Sequence, residues 1–223
     1  CAILQEKDVD FTLSDGTTLY MDIYRPLTDE KVPVILCWGP AGKGGIRDML
    51  DGRAERRYVP RTALSGLQGW ESADPAHWVP YNYAVVEVDP RGCYMSQGDV
   101  QYFGELDAQD ACQCIEWLAS LPWCNGRVGM SGCSWYSMVQ LYIAAKNPPH
   151  LAAIAPWEGQ DDLYREEYVK GGIPLGMFPG ARCWSNGGRI EAICAMAAKY
   201  PLMNEYWEGK RPKVEDIRVP VYM

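Results

Sequence analysis

The stretch of the chain best suited to chemistry is Gly132-Cys133-Ser134-Trp135-Tyr136-Ser137. A β-type apolar run over residues 127–130 leads into it, and a pattern that reads as helix follows. A serine at a sharp strand-to-helix turn, flanked by small residues because the backbone is crowded there, has the layout of a nucleophile elbow. Such a hydroxyl attacks a carbonyl carbon when a neighbouring base takes its proton and N–H donors hold the oxyanion that forms. The usual pattern, G-x-S-x-G, places glycine where this chain has Tyr136. The plain alternative is a loop serine that caps the following helix.

The elements that would position Ser134 read as follows. Residues 10–13 and 18–24 flank Ser14-Asp15-Gly16-Thr17, and Leu19, Met21 and Ile23 alternate with Tyr20, Asp22 and Tyr24. That is an antiparallel hairpin with one buried face. Residues 32–38 and 83–89 are continuous apolar runs, ended by Gly39-Pro40-Ala41-Gly42-Lys43 and Pro90-Arg91-Gly92, as strands of a covered parallel sheet are. Between them, residues 46–80 mix charges and aromatics without a clean period and read as a long excursion with short helices. Residues 105–120 place Ala108, Ala111, Cys112, Ile115, Leu118 and Ala119 at helical spacing. A helix over 134–146, with Met138, Leu141, Tyr142 and Ala145 on one side, stops at Asn147-Pro148-Pro149, and residues 151–156 form the next strand. This βαβ alternation gives a parallel sheet covered on both faces. Three regions result: a core over 1–157, a helical insertion over 158–215 with one helix at 189–199, and a returning core strand over 216–223 that is cut off.

Composition excludes several classes. With 48% hydrophobic and 22% charged residues in 223, a substantial core can be buried. A net charge of -8 argues against nucleic acid, whose phosphates need a basic face. No apolar run approaches the roughly 20 residues of a membrane helix, and the start CAILQEKDVD has no signal-peptide pattern. Nine cysteines without C-x-x-C pairs, beside two distant histidines, make no metal site. They read as small buried hydrophobes in a reducing, cytoplasmic setting, and a first residue Cys1 without an initiator Met reads as a clipped chain. No cofactor is expected, and the oligomeric state is not legible.

Taken in one register, GPAGK, Asp89-Pro90-Arg91-Gly92, the run Trp123-Cys124-Asn125-Gly126-Arg127-Val128-Gly129-Met130, and Ile154-Ala155-Pro156 followed by Asp162-Leu163-Tyr164 resemble the CocE/NonD serine hydrolases. That family includes cocaine esterase, α-amino-acid ester hydrolases and X-Pro dipeptidyl-peptidases, and the similarity runs from Asp8 to Met223. The resemblance implies an α/β-hydrolase core, a helical cap after Pro156, a C-terminal jelly roll, and Ser134 as nucleophile with Asp and His following it in chain order. The expected substrate is a small-molecule ester or amide. The backbone N–H of Trp135, at the first turn of a helix, suits one oxyanion donor.

Two departures stand out. Where several relatives carry a tyrosine as second oxyanion donor this chain has Ala41, so a backbone N–H of Ala41 or Gly42 would have to serve. The base is also missing. His150 lies beyond the elbow helix, roughly 18 Å from Ser134 at the edge opposite the strand ends, and His77 precedes a strand and so shares that edge. Asp161 and Asp162 read as acids capping a helix near 163–169, and Asp89 with Arg91 as a buried ion pair or loop anchor behind the elbow. A catalytic acid and histidine are therefore expected after Met223, which would leave these residues inactive alone. A non-catalytic hydrolase-fold binding protein is the rival reading.

Overall fold

The computed structural model describes residues 2–43, 60–175 and 185–223. Of the excursion with short helices expected over 46–80, residues 46–59 lie outside them, as do Cys1 and Cys183, while short helices are present at Arg61–Ala63, Pro75–Trp78 and Val79–Tyr81. Strands β1 (Ile3–Thr12), β2 (Thr18–Pro26), β3 (Val32–Trp38), β4 (Ala84–Asp89), β5 (Cys124–Cys133) and β6 (Leu151–Trp157) form one sheet. The helices are α1 (Pro75–Trp78), α2 (Glu105–Ser120), α3 (Trp135–Ala145), α4 (Ile193–Lys199) and α5 (Glu205–Glu208). Sheet order is β1-β2-β4-β3-β5-β6. The first two pairings, β1 with β2 and β2 with β4, are antiparallel, and the rest are parallel. This is the α/β-hydrolase arrangement that the family resemblance implies.

The apolar runs behave as parallel strands must. Every residue of β4 is buried, and in β3 only Pro33 is partly exposed. Crossover helix α2 spans the residues expected and buries Ala108, Ala111, Ile115 and Leu118, but turns Cys114 inward rather than Cys112. Three further details differ from expectation. The second face of β2 is also covered, with Asp22 and Tyr24 buried, because Lys43 and Lys7 bring their ammonium groups to Asp22 at 3.5 and 3.7 Å. The buried face of α3 carries Val139, Gln140, Ile143 and Ala144, while Met138, Leu141 and Ala145 are half-buried: the helix is packed between α2 and β6 and cannot present a single stripe. The helix expected over 189–199 is confined to α4, since residues 185–191 run beside the loop after β4, bending at Gly187 and Gly188, with Val100 bridging Ile190 and Cys93 bridging Ser185.

Residues 158–215 hold a π-helical turn at Tyr164–Tyr168, then α4, α5 and short turns. Their aromatics, Tyr168 and Trp207 among them, are buried against the main core. Residues 216–223 meet the sheet at one parallel bridge, Ile154 to Val221. There Ile154 N–H donates to Pro220 O at 3.0 Å, and Tyr222 N–H donates to Ile154 O at 2.9 Å.

Candidate active site

Ser134 sits between β5 and α3 with φ 59° and ψ -119°, a conformation that costs a non-glycine residue on the order of 1–3 kcal/mol and persists only where its surroundings enforce it. They do so from both sides. Ser134 N–H donates to Trp157 O at the end of β6, and Ser134 O accepts from Ser137 and Met138 N–H, each at 3.0 Å. One residue earlier, Cys133 N–H donates to Glu71 O at 3.0 Å.

The departure at Tyr136 has a structural answer. A Cβ on Gly132 would stand 2.3 Å from Tyr136 Cβ, so glycine is required before the serine. A Cβ on Gly39 would stand 2.6 Å from the Tyr136 ring. The room that a glycine two places after the serine normally leaves is thus provided across the sheet by Gly39, and the buried phenol is held well above its ordinary pKa by burial.

Ser134 opens onto a cavity of about 280 Å³ walled by Pro40, Ala41, Trp70, Phe103, Trp135, Tyr136, Met138, Leu163 and Tyr168, with the acidic residues Glu71 and Glu167 also in its lining. Sequence reasoning missed Glu71, which stands in the aperiodic stretch at φ 56°, and it missed Phe103; no pattern marks either. Glu167 belongs to the acid-rich 158–167 segment and is partly compensated by Lys170 at 3.7 Å.

The two residues expected to offer a second oxyanion donor differ in how their N–H groups are bonded. Gly42 N–H is spent on Gly39 O at 3.1 Å, while Ala41 N–H has no acceptor among the described residues and Ala41 lines the cavity. The loop is held from behind by Asp89, which accepts Lys43 N–H at 2.9 Å and Met95 N–H at 3.4 Å. Burial raises its carboxyl to about 6 against the N–H and charge of Lys43. Asp89 and Arg91 do not pair with each other. Arg91 instead makes a fork to Asp110, at 2.6 and 2.9 Å, and reaches Asp15, because its strand-end position faces α2 and the β1–β2 turn. The loop-anchor reading of Asp89 stands, and the mutual ion pair does not.

Neither histidine lines the cavity. His150 Nδ1 lies 2.6 Å from Glu116 Oε2 on α2, and His77 packs exposed between Trp78 and Tyr81. Asp162 Oδ1 accepts Arg165 N–H at 2.9 Å in the manner of a cap, and Arg211 lies 3.3 Å from its other oxygen. Among the described residues no His/Cys/Asp/Glu group could hold a metal, and no helix is long and apolar enough to cross a membrane.

A strained serine between a parallel strand and its crossover helix, at the carboxyl edge of this sheet, has the layout of the nucleophile elbow of serine-type α/β hydrolases. The family model for X-Pro dipeptidyl-peptidases (S15 family) matches residues 15–185. The chain belongs to that family, and with it to the CocE/NonD-type hydrolases. It is 31% identical over 174 residues to the cocaine esterase of Rhodococcus sp. (strain MB1 Bresler), a match covering 76% of this chain and 26% of that protein. The structure of a CocE/NonD family hydrolase from Staphylococcus aureus is 34% identical, with a TM-score of 0.89 over 98% of this chain and 40% of that one. An α-amino acid ester hydrolase at 20% identity shares the fold, with a TM-score of 0.72 over 98% of this chain and 42% of that one. The chain therefore spans about a quarter of that curated relative's length.

Proposed function

We propose that residues 1–223 supply the nucleophile part of a serine hydrolase that cleaves an ester or amide through an acyl-enzyme on Ser134. Ser134 Oγ bonds to the substrate carbonyl carbon, its proton passes to a histidine, and the carbonyl oxygen becomes an oxyanion facing the N–H groups of Trp135 and Ala41. Collapse expels the alcohol or amine, which takes the proton, and water then releases the acid by the same steps. The histidine and its acid partner come from outside these residues, so this stretch alone is inactive. The observation that carries the reading is the enforced φ and ψ of Ser134 at the mouth of the 280 Å³ cavity. In the longer protein a fluorophosphonate probe should label Ser134, and Ser134→Ala should abolish both labelling and turnover. A folded longer protein that resists the probe would sink the reading and leave a non-catalytic binding role. Turnover by residues 1–223 alone, lost in Ser134→Ala, would show that the base lies within them.

The acidic Glu167 in the cavity wall supports a substrate bearing an ammonium group, as an amino-acid ester or a peptide N-terminus does. Glu167→Gln should raise KM for an amino-acid ester about tenfold over that for its deamino analogue. Equal effects on the two substrates would remove this preference.

A further inference from the structure

The wall of the cavity beside Ser134 is built by a backbone that needs an external support. Phe103 has φ 54° and Gly104 φ 102°, and a phenylalanine in the left-handed region is an outlier that must be over-determined by its contacts. The contacts come from a segment more than 80 residues away. Lys210, 8% exposed, places its ammonium 2.6 Å from Tyr102 O, 3.2 Å from Phe103 O and 2.7 Å from Glu191 Oε2, one acceptor for each of its three N–H bonds. Glu191 Oε2 also accepts Tyr102 N–H at 2.8 Å, and Glu191 Oε1 accepts the Tyr206 hydroxyl at 2.6 Å. Successive carbonyls of an extended chain point to opposite sides, so two can converge on one ammonium only if the backbone turns at Phe103. Held there, the Phe103 ring stacks on Trp135 with centroids 4.3 Å apart, one residue from Ser134.

We infer that Glu191 and Lys210 are positioning residues: a clasp from the 185–210 segment that fixes the Phe103 wall and so sets the length of the substrate chain that Ser134 accepts. This rests on the hydrolase reading for its effect on catalysis, and on geometry alone for its effect on the wall. Without the ammonium, Phe103 relaxes to negative φ and its ring leaves Trp135, which opens the cavity.

The test uses the longer protein and esters lengthened stepwise on the acyl side and, separately, on the alcohol side. In one series Lys210→Met should raise kcat/KM for the longest ester relative to the shortest about tenfold, the scale on which a pocket discriminates by one or two methylenes. Phe103→Ala should do the same, the double variant should add nothing further, and Lys210→Arg should restore much of the wild-type ratio. A uniform fall across both series, or effects of Lys210→Met and Phe103→Ala that multiply, would overturn the inference. A crystal structure of Lys210→Met, with Glu191→Gln as the milder variant should the first not fold, reports the Phe103 ring whether or not Ser134 turns over. A ring still stacked on Trp135 would overturn the clasp while leaving the hydrolase reading intact, whereas absent fluorophosphonate labelling in the wild type would do the reverse.

Discussion

Tyr136 and Gly39 exchange roles across the sheet, and that exchange can be tested with single atoms. Gly39→Ala drives a methyl into the Tyr136 ring at 2.6 Å and should cost about 1–3 kcal/mol by thermal unfolding, with most of the loss recovered in Gly39→Ala/Tyr136→Ala. Titration adds a second residue-scale prediction. Asp89 and Asp107 are both raised to about 6 by burial, the latter despite accepting the Trp38 indole N–H at 2.8 Å. Between roughly pH 4 and 6 the folded protein therefore binds more protons at these groups than the unfolded chain does. Their stabilising contribution is present at the acid end and lost as pH rises through 6. Asp107→Asn should flatten that part of the stability curve relative to wild type, as read by urea unfolding at several pH values. Ser134 was legible in the sequence because a serine between an apolar strand and a helix leaves a local pattern. Glu71 was not, since only the folded chain carries its carbonyl to Cys133 N–H.

At the scale of elements, strand and helix identities follow from periodicity, whereas covered faces depend on what packs later. The sequence marks Asp22 as a polar residue on the solvent side of a hairpin, but the Gly39–Lys43 loop folds over it and buries it to 1% exposure. The same holds for Arg91, whose partner Asp110 lies on α2 and is also 1% exposed. Arg91→Met strands that carboxylate and should destabilise by about 3–5 kcal/mol, whereas Arg91→Met/Asp110→Leu should recover most of the loss; urea unfolding checks both. The 158–215 segment was the least legible, because its order comes from long-range contacts such as Tyr142 hydroxyl to Lys210 O rather than from its own helical period.

For the molecule as a whole, a net charge of -8 and the acidic Glu167 in the cavity wall predict that ammonium-bearing esters react faster at low salt. Their kcat/KM should fall as ionic strength rises toward about 0.2 M, while that of neutral esters stays level. The enforced conformation at Ser134 has a different kind of consequence. Glycine adopts φ near 60° without penalty, so Ser134→Gly should leave the folded protein as stable as the parent or more so, while erasing its chemistry. A lineage released from selection for turnover would gain by losing that side chain. On stability alone, then, nothing favours a serine over a glycine at this position.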